Sequence, residues 1–188
     1  IKKDQVFAVD GSFSYKYMFD LDRFFSVETR SKLRYPAFKG SVPAGLERGV
    51  MIDTVLKRDV FLSYPFQSID PLLWLLEECA DDPRVSNIKI TIYRLAKNSR
   101  IVASLIRAAE NGKDVSVVME LCARFDEESN LSYARELQEA GCTVFYGIEN
   151  YKVHSKIISI VLRDNGKIRY ITHLGTGNYN ENTAKQYT

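Results

Sequence analysis

The sequence is poor in the residues that tie a small fold together covalently or hold a structural metal ion. It contains three cysteines and two histidines. Cys79, Cys122 and Cys142 lie far apart, form no C-x-x-C pair and have no histidine cluster beside them. Neither a disulfide framework nor a zinc site is therefore expected, and the cysteines are predicted to be reduced.

Long hydrophobic runs and a large net charge are missing as well. The longest apolar stretch, residues 71–76, is far shorter than the ~20 residues of a membrane-spanning helix. The formal net charge of +2 is too small for a protein that binds nucleic acid over its whole surface. We therefore expect no membrane span and no nucleic-acid partner, and any anion site must be local.

The remaining composition is that of an average globular chain. Its 188 residues are 45% hydrophobic and 27% charged, which predicts a packed core in one domain, with an appendage at most. The first residue is not Met, no signal segment follows it, and the last residues resemble an opening helix. These ends predict a piece of a larger cytoplasmic protein, and they leave membrane association of the whole protein open.

Proline and glycine divide the chain into two parts. They recur between Pro36 and Gly49, too often for a long helix or a central strand. Residues 1–58 are therefore predicted to be a linker or the margin of a preceding domain. Residues 59–188 follow regular patterns and are predicted to form the main domain.

Helical and strand periodicities alternate within residues 59–188. The predicted elements are helix 70–80, strand 87–93, helix 99–111, strand 115–121, helix 126–140 and strands 142–146, 154–162 and 168–174. The last two strands flank Asp164-Asn165-Gly166, a strong hairpin signal. The order predicts an α/β sandwich with a mostly parallel sheet and an antiparallel hairpin, with ligands at the carboxyl ends of the strands.

The first histidine belongs to a tripeptide that suits chemistry on phosphate. His154-Ser155-Lys156 places an imidazole and an ammonium two residues apart, hence on one face of a strand. A neutral imidazole nitrogen is a good nucleophile toward phosphorus, and a lysine neutralises phosphoryl oxygens. His154 and Lys156 are therefore candidate catalytic residues. A half-exposed hairpin strand with a polar face is the alternative explanation.

The second histidine opens a glycine loop, residues 173–178, which leads toward a predicted helix near Asn180. Glycines let main-chain N–H groups approach an anion, and a helix N-terminus adds partial positive charge. Gly175, Gly177 and Asn178 are thus candidate substrate-binding residues, with a simple tight turn as the alternative. For His173 a structural hydrogen bond is the expected role.

Two arginines follow predicted strands directly. Arg94 comes after the strand that ends near Tyr93, and Arg124 comes after the strand that ends near Leu121. Ligands bind at such strand ends, and paired guanidinium groups form bidentate contacts to phosphates. The other basic residues between positions 89 and 113 are interpreted as a solvated face.

These residues resemble two known families. His154-x-Lys156 with Gly175-x-Gly177-Asn178 resembles half of a phospholipase D superfamily site, although Val161 stands where that superfamily usually has Asp. The closer resemblance is to the polyphosphate kinase family, from about residue 59 to residue 188. The segments that carry it are residues 92–94 (IYR), 109–113 (AENGK), 120–128 (ELCARFDEE), 151–156 (YKVHSK) and 173–180 (HLGTGNYN).

The resemblance implies an enzyme that transfers the terminal phosphate of ATP reversibly to inorganic polyphosphate. It implies that His154 becomes a phosphohistidine, that Arg94 and Arg124 bind the magnesium–phosphate part of the substrate, and that Tyr187 contacts the nucleotide. A guanidinium has no lone pair for Mg²⁺, so the arginines are expected to bind the phosphates that the metal bridges. The lack of a G-x-x-x-x-G-K-[ST] motif agrees with transfer through histidine.

The resemblance also implies parts that these residues do not contain. Family members carry domains before this region and a second phospholipase-D-like domain after it, which contributes its own histidine and arginine. The chain is therefore expected to be the first carboxyl-terminal catalytic domain, to hold half a site and to be inactive alone. Its implied partners are ATP, ADP, polyphosphate, Mg²⁺ and that second domain, while homo-oligomer formation stays open.

Two other functions are compatible with the same residues. A phospholipase-D-like nuclease or phosphatidyltransferase would use His154 and Lys156 to attack a diester. A non-catalytic polyanion-binding module would use the basic residues between Lys89 and Lys113. The module would bind with a steep salt dependence and would not depend on His154.

Overall fold

The computed structural model describes residues 2–8, 10–11, 14–36, 38–121, 123, 127–147 and 150–187. The chain forms two compact units, residues 1–38 and residues 39–188. The described residues of the first unit form three short 3-10 turns and one helix, α1 (Val27–Leu33), whose N-terminus is capped by Ser26 through the N–H of Thr29. This helix is too short to be stable without further packing.

The second unit contains the predicted α/β alternation. Its elements are α2 (Met51–Lys57), α3 (Asp70–Asp81), β1 (Val85–Ile92), α4 (Arg100–Glu110), β2 (Asp114–Met119), α5 (Glu127–Glu139), β3 (Thr143–Tyr146), β4 (Lys156–Asp164) and β5 (Lys167–Gly175). The composition placed the margin at residue 58, whereas the second unit starts at residue 39. Residues 39–58 include α2, which buries Met51 and Ile52. The main-chain N–H of Ile52 donates to Glu78 on α3.

The five strands form one sheet in the order β3-β2-β1-β4-β5. β1 pairs in parallel with β2, and β2 in parallel with β3, while β4 runs antiparallel to both of its neighbours. Four strands therefore point the same way, which confirms the predicted α/β class with a mostly parallel sheet. Because β4 alone is reversed, its amino end lies at the edge where β1, β2 and β5 have their carboxyl ends.

The core lies on one face of this sheet. Alternate residues of β1, β2 and β4 are buried together with apolar residues of α3, α4 and α5. Along β4 the buried positions are Ile158, Ile160 and Leu162, at 0–1% exposure, while the intervening Ile157 is 38% exposed. In the described part of the second unit, the opposite face carries exposed side chains such as Lys89, Tyr170 and Leu174.

The hairpin between β4 and β5 is confirmed in place and in type. Asp164 pairs with Lys167 across a two-residue turn, and both turn residues have positive φ, 49° at Asn165 and 76° at Gly166. Asn-Gly adopts these angles at low cost, and such a turn has the twist that antiparallel strands need.

Two local predictions are wrong. His154 does not lie on β4, which starts at Lys156. The side chains of Thr91 on β1 and of Glu120, just after β2, bind the main chain around His154, and no described strand pairs with it. The segment near Asn180 is a single 3-10 turn, Thr183–Lys185, and not a longer helix. The start of the helix predicted from Asp126 lies outside the described residues.

The structure describes two of the three cysteines. Cys79 and Cys142 are free and buried, and burial raises the pKa of their thiols to about 12 and about 11. Both are therefore inert thiols. Cys122 lies outside the described residues. Among the residues described, no helix combines the length and the apolar character needed to cross a membrane.

We expect the buried face of β4 to carry the stability of the second unit. Ile158→Ala should lower the free energy of unfolding by about 2–5 kcal/mol, because it leaves a cavity in a closely packed core. The neighbouring Ile157→Ala, on the exposed face, is the matched control and should cost less than about 1 kcal/mol. Urea unfolding of the 188-residue chain measures both. Equal losses would contradict the one-sided core.

Candidate active site

Three of the predicted site residues meet around the ring of Tyr93, which lies directly after β1. The imidazole of His154 lies edge-on to this ring, with 5.0 Å between ring centroids and 70° between planes. The ring also has three cations near it: Lys156 Nζ at 5.3 Å, Lys152 Nζ at 5.5 Å and Arg94 Cζ at 5.6 Å from its centroid. The reversed direction of β4 brings these residues together, because Tyr93 and Arg94 end one strand and His154 precedes the other.

Three positive groups lie within a few ångströms of one ring and concentrate positive charge at the strand ends. A ring face attracts cations at this distance, so Tyr93 offsets part of their mutual repulsion. The remaining positive potential favours an anionic ligand at the strand ends. A net charge close to zero over the whole chain is thus compatible with a local concentration of positive charge.

Lys156 is the buried member of the cluster. Its residue is 5% exposed, its Nζ donates a hydrogen bond to the carbonyl oxygen of His154, and burial lowers its pKa. An ammonium carries three hydrogens, so this bond leaves others for a ligand. Lys156 therefore holds the main chain of His154 and also contributes charge next to the imidazole.

The glycine loop begins beside Lys156. Gly175 pairs with Lys156 across the hairpin, and a Cβ at Gly175 would lie 3.2 Å from His173 Cε1 and 3.5 Å from Lys156 Cβ. A side chain at this position would push on one of these neighbours. The contact with Lys156 would be an ordinary one, whereas the ring of His173 would have to shift by a few tenths of an ångström.

His173 and Tyr179 form a buried pair below the loop. His173 Nδ1 and the Tyr179 hydroxyl are 3.0 Å apart. Burial lowers the pKa of His173 to about 4 and raises the pKa of Tyr179. His173 is thus neutral at pH 7 and participates in the hydrogen bond expected from the sequence.

The rest of the loop is partly buried and anchored at both ends. Gly177 and Asn178 are partly buried beside a cavity of about 570 Å³, which is lined by the loop, by β5 and by apolar residues of α2 and α3. Glu181 fixes the far end of the loop, because its carboxylate accepts hydrogen bonds from Ser99 Oγ and the N–H of Arg100 at the start of α4. His154 is not among the residues that line this cavity.

The other predicted site residues are not brought to the Tyr93 ring by any described contact. Tyr187 is 45% exposed, and its main-chain N–H donates to the carbonyl of Thr183. Arg124 lies outside the described residues. Sequence reasoning assigned no role to Tyr93 or Lys152. The sequence did offer one signal for them: Tyr93 directly precedes Arg94, and Lys152 lies two residues before His154.

The basic residues between positions 89 and 113 do not form one solvated face. Arg100 pairs with Asp70 and Glu77, Arg107 pairs with Asp81, and Lys113 Nζ donates to the carbonyls of Asp82 and Val85. These three side chains stabilise the packing of α3 against α4 and β1. The surface required by the polyanion-binding alternative is therefore divided among separate structural contacts.

The described residues of the site do not fit a magnesium ion bound directly by side chains. Mg²⁺ requires oxygen ligands, and the groups around Tyr93 are a guanidinium, two ammonium groups and an imidazole. In the described part of the chain, no cluster of His, Cys, Asp or Glu is suited to a metal. The described groups around Tyr93 could hold magnesium only through the phosphates of a substrate.

Comparison with known proteins identifies the family. The profile of the family described as "Polyphosphate kinase C-terminal domain 1" matches residues 50–188. The chain belongs to the polyphosphate kinase family. Polyphosphate kinase of Staphylococcus haemolyticus is 42% identical over 188 residues, covering 100% of this chain and 26% of that protein. Polyphosphate kinase of Pseudomonas aeruginosa is 47% identical over 173 residues, covering 90% of this chain and 25% of that protein.

A solved structure supports the same assignment at the level of the fold. The crystal structure of polyphosphate kinase from Porphyromonas gingivalis aligns with a TM-score of 0.71 and 32% sequence identity, covering 89% of this chain and 28% of that chain. The chain thus spans about a quarter of the length of the polyphosphate kinases that it matches.

The pKa of His173 predicts a specific pH dependence of stability. In the unfolded chain a histidine has its ordinary pKa of 6.5, whereas in the folded protein the pKa of His173 is about 4. Between these values only the unfolded state binds the proton, so the free energy of unfolding should fall as the pH drops from 6.5 to 4, by roughly 3 kcal/mol from this group. His173→Gln should flatten the slope in this window.

Chemical denaturation between pH 4 and pH 7 measures this slope. A slope unchanged by His173→Gln would show that the buried pair does not titrate in this way.

Proposed function

We propose that this chain is the first carboxyl-terminal catalytic domain of a longer polyphosphate kinase. In this proposal it contributes to the reversible transfer of the terminal phosphate of ATP to inorganic polyphosphate, through a phosphohistidine on His154. One observation carries the proposal: an exposed imidazole lies at the carboxyl edge of the sheet, beside a cluster of three cations around Tyr93. Membership of the family supports the same reaction.

The proposed reaction has two displacement steps at phosphorus. In the first, an unprotonated ring nitrogen of His154 attacks the γ-phosphorus of ATP, a P–N bond forms, the bond to the β–γ bridging oxygen breaks, and ADP leaves with the electron pair. In the second, a terminal oxygen of polyphosphate attacks the phosphohistidine, a P–O bond forms and the P–N bond breaks. The imidazole is then regenerated, and running the steps in reverse converts ADP to ATP.

The cations stabilise the charge on the phosphoryl oxygens during both steps. Arg94 offers a planar fork that matches two phosphate oxygens, while Lys152 and Lys156 act as point charges. Of the three cations, Lys156 should stabilise a nearby negative charge most strongly per unit of its own charge, because it is buried and water screens its field least. Preorganised charges of this kind are usually the largest single contribution to phosphoryl transfer.

The remaining assignments are proposals of the same kind. Gly175, Gly177 and Asn178 would bind substrate phosphate through the loop beside Lys156, and Tyr187 would contact the nucleotide. Mg²⁺ would accompany the ATP phosphates and neutralise part of their charge. A second phospholipase-D-like domain would complete the site, so that these 188 residues alone hold half of it.

We expect His154→Ala in the full-length protein to abolish phosphoenzyme formation and polymer synthesis while leaving the fold intact, because an exposed side chain that contributes no core packing is removed. Incubation with γ-labelled ATP should give the wild type an acid-labile, base-stable label on the protein. The variant should carry none. Label at the wild-type level in the variant would place the nucleophile elsewhere.

Arg94→Lys should slow catalysis although it keeps the charge. A bidentate contact becomes a point charge, and losing such a contact in the transition state costs about 2–4 kcal/mol, by analogy with the loss of an oxyanion donor. The same result is expected for Arg124→Lys from the sequence. Arg107→Lys is the control, because Arg107 pairs with Asp81 on the helical layer. Steady-state rates of the two site variants within about twofold of wild type would mean that neither arginine binds phosphate in this way.

A further inference from the structure

We propose that Glu120 and Thr91 are positioning residues that hold the main chain on the two sides of His154 and so aim its imidazole at the phosphorus. The proposal rests on the proposed function, because it assumes that His154 is the nucleophile. It assigns a purpose to two side chains that touch neither substrate nor the imidazole in the described contacts.

Glu120 holds the residue before His154. Its carboxylate Oε2 accepts a hydrogen bond from the N–H of Val153 at 2.9 Å, and the residue is only 7% exposed. A carboxylate is expensive to bury, so its charge must be compensated by donors such as this N–H. A fold that needed only packing at this point would place an apolar side chain here.

The main chain of Glu120 is itself fixed at the strand ends. Its N–H donates to the carbonyl of Ile92 at 2.9 Å, which continues the pairing of β1 with β2. The buried amide of Asn130 on α5 donates through Nδ2 to the carbonyl of Glu120 at 2.9 Å and to that of Tyr93 at 3.0 Å. Glu120 therefore projects its carboxylate from a rigid base that also carries Tyr93.

Thr91 holds the residues after His154. The regular pairing of β1 with β4 reaches Ile90 and Ile158 and continues no further. Beyond that point the Thr91 hydroxyl donates to the carbonyl of Ser155 at 2.7 Å and accepts from the N–H of Ile157 at 3.1 Å. One side-chain oxygen thus takes the place of the next step of the strand ladder.

Together with Lys156, these contacts fix three consecutive main-chain positions. Val153 is held through its N–H, His154 through its carbonyl by Lys156 Nζ, and Ser155 through its carbonyl. The segment is not part of a strand, so these bonds set the direction in which the exposed imidazole leaves the backbone. A nucleophile must be held close to its in-line position, since a displacement of about 1 Å costs about 10²-fold in rate.

The test uses the full-length protein and a pair of substitutions at Thr91. Thr91→Val keeps the shape and removes the hydroxyl, whereas Thr91→Ser keeps the hydroxyl. The single-turnover rate of ATP-dependent labelling of His154 should fall by about 10²-fold in Thr91→Val, with the Kd for ATP changed by less than about twofold. Thr91→Ser should recover the rate to within about threefold of wild type.

Ser86→Ala provides the matched control. Ser86 lies on the same strand, and its hydroxyl also donates to a carbonyl of β4, that of Val161 at 3.2 Å, but at the opposite end of the strand pair. Losing this bond should leave the labelling rate unchanged. An equal loss of rate in Ser86→Ala and Thr91→Val would mean that any bond between β1 and β4 matters only for folding, and it would overturn the proposal.

Glu120 is tested by the pair Glu120→Ala and Glu120→Gln, of which the second retains an acceptor oxygen for Val153. Glu120→Ala should slow labelling and speed hydrogen exchange of the Val153 amide, while Glu120→Gln should restore much of the protection. Exchange at Val153 and Ile157 needs no catalysis, so it tests the positioning contacts by themselves. If Glu120→Ala left exchange at Val153 unchanged and Thr91→Val left exchange at Ile157 unchanged, the proposed positioning contacts would be refuted.

The labelling and exchange measurements separate the two proposals. If the wild type acquires no label at His154, the proposed function fails, while faster exchange in the variants would still support the positioning contacts. If the wild type is labelled, and Thr91→Val and Glu120→Ala are labelled at its rate, the function stands and the positioning role is refuted.

Discussion

The antiparallel pairing of β4 with β1 is the constraint on which the candidate site depends. Had β4 run in the same direction as its neighbours, its amino end would lie at the opposite edge of the sheet from Tyr93 and Arg94. The reversal places His154 at the carboxyl edge, and the register Ile90 to Ile158 sets its height along β1. The same pairing buries Ile158 in the core, so the interaction that stabilises the sheet also fixes the position of the imidazole.

The cation cluster shows how a nearly neutral chain can concentrate positive charge at one point. Most of the basic residues between α3 and β2 are neutralised by acidic partners or bound to carbonyls, and they stabilise the helical layer. Arg94, Lys152 and Lys156 surround an aromatic ring. An anionic ligand at this point would meet three positive groups close together. Charge distribution, and not total charge, therefore indicates function here.

The fold was largely predictable, because its signals are local. Apolar alternation, the Asn165-Gly166 turn and the glycines after α4 and α5 are read within a few residues, and they gave all five strands of the second unit. The site was predictable only in part. His154, Lys156 and Arg94 could be named from their residue types and positions. Their grouping around Tyr93 could not be predicted, because Tyr93 and His154 lie far apart in the sequence and only the order and direction of the strands bring them into contact. The expectation that His154 lies on a strand was wrong, because side-chain contacts from Glu120 and Thr91 take the place of strand pairing around it.

The departure of residues 152–155 from the strand is itself informative. In a regular sheet, the N–H and carbonyl groups of a strand form hydrogen bonds with the neighbouring strands, and its side chains alternate between the two faces of the sheet. His154 would then point toward either the core or the open face. Glu120, Lys156 and Thr91 instead bind three main-chain groups of the segment, and the imidazole is left exposed at the edge of the sheet. The loss of regular structure at this point is therefore what permits an exposed imidazole on a main chain that is held in place.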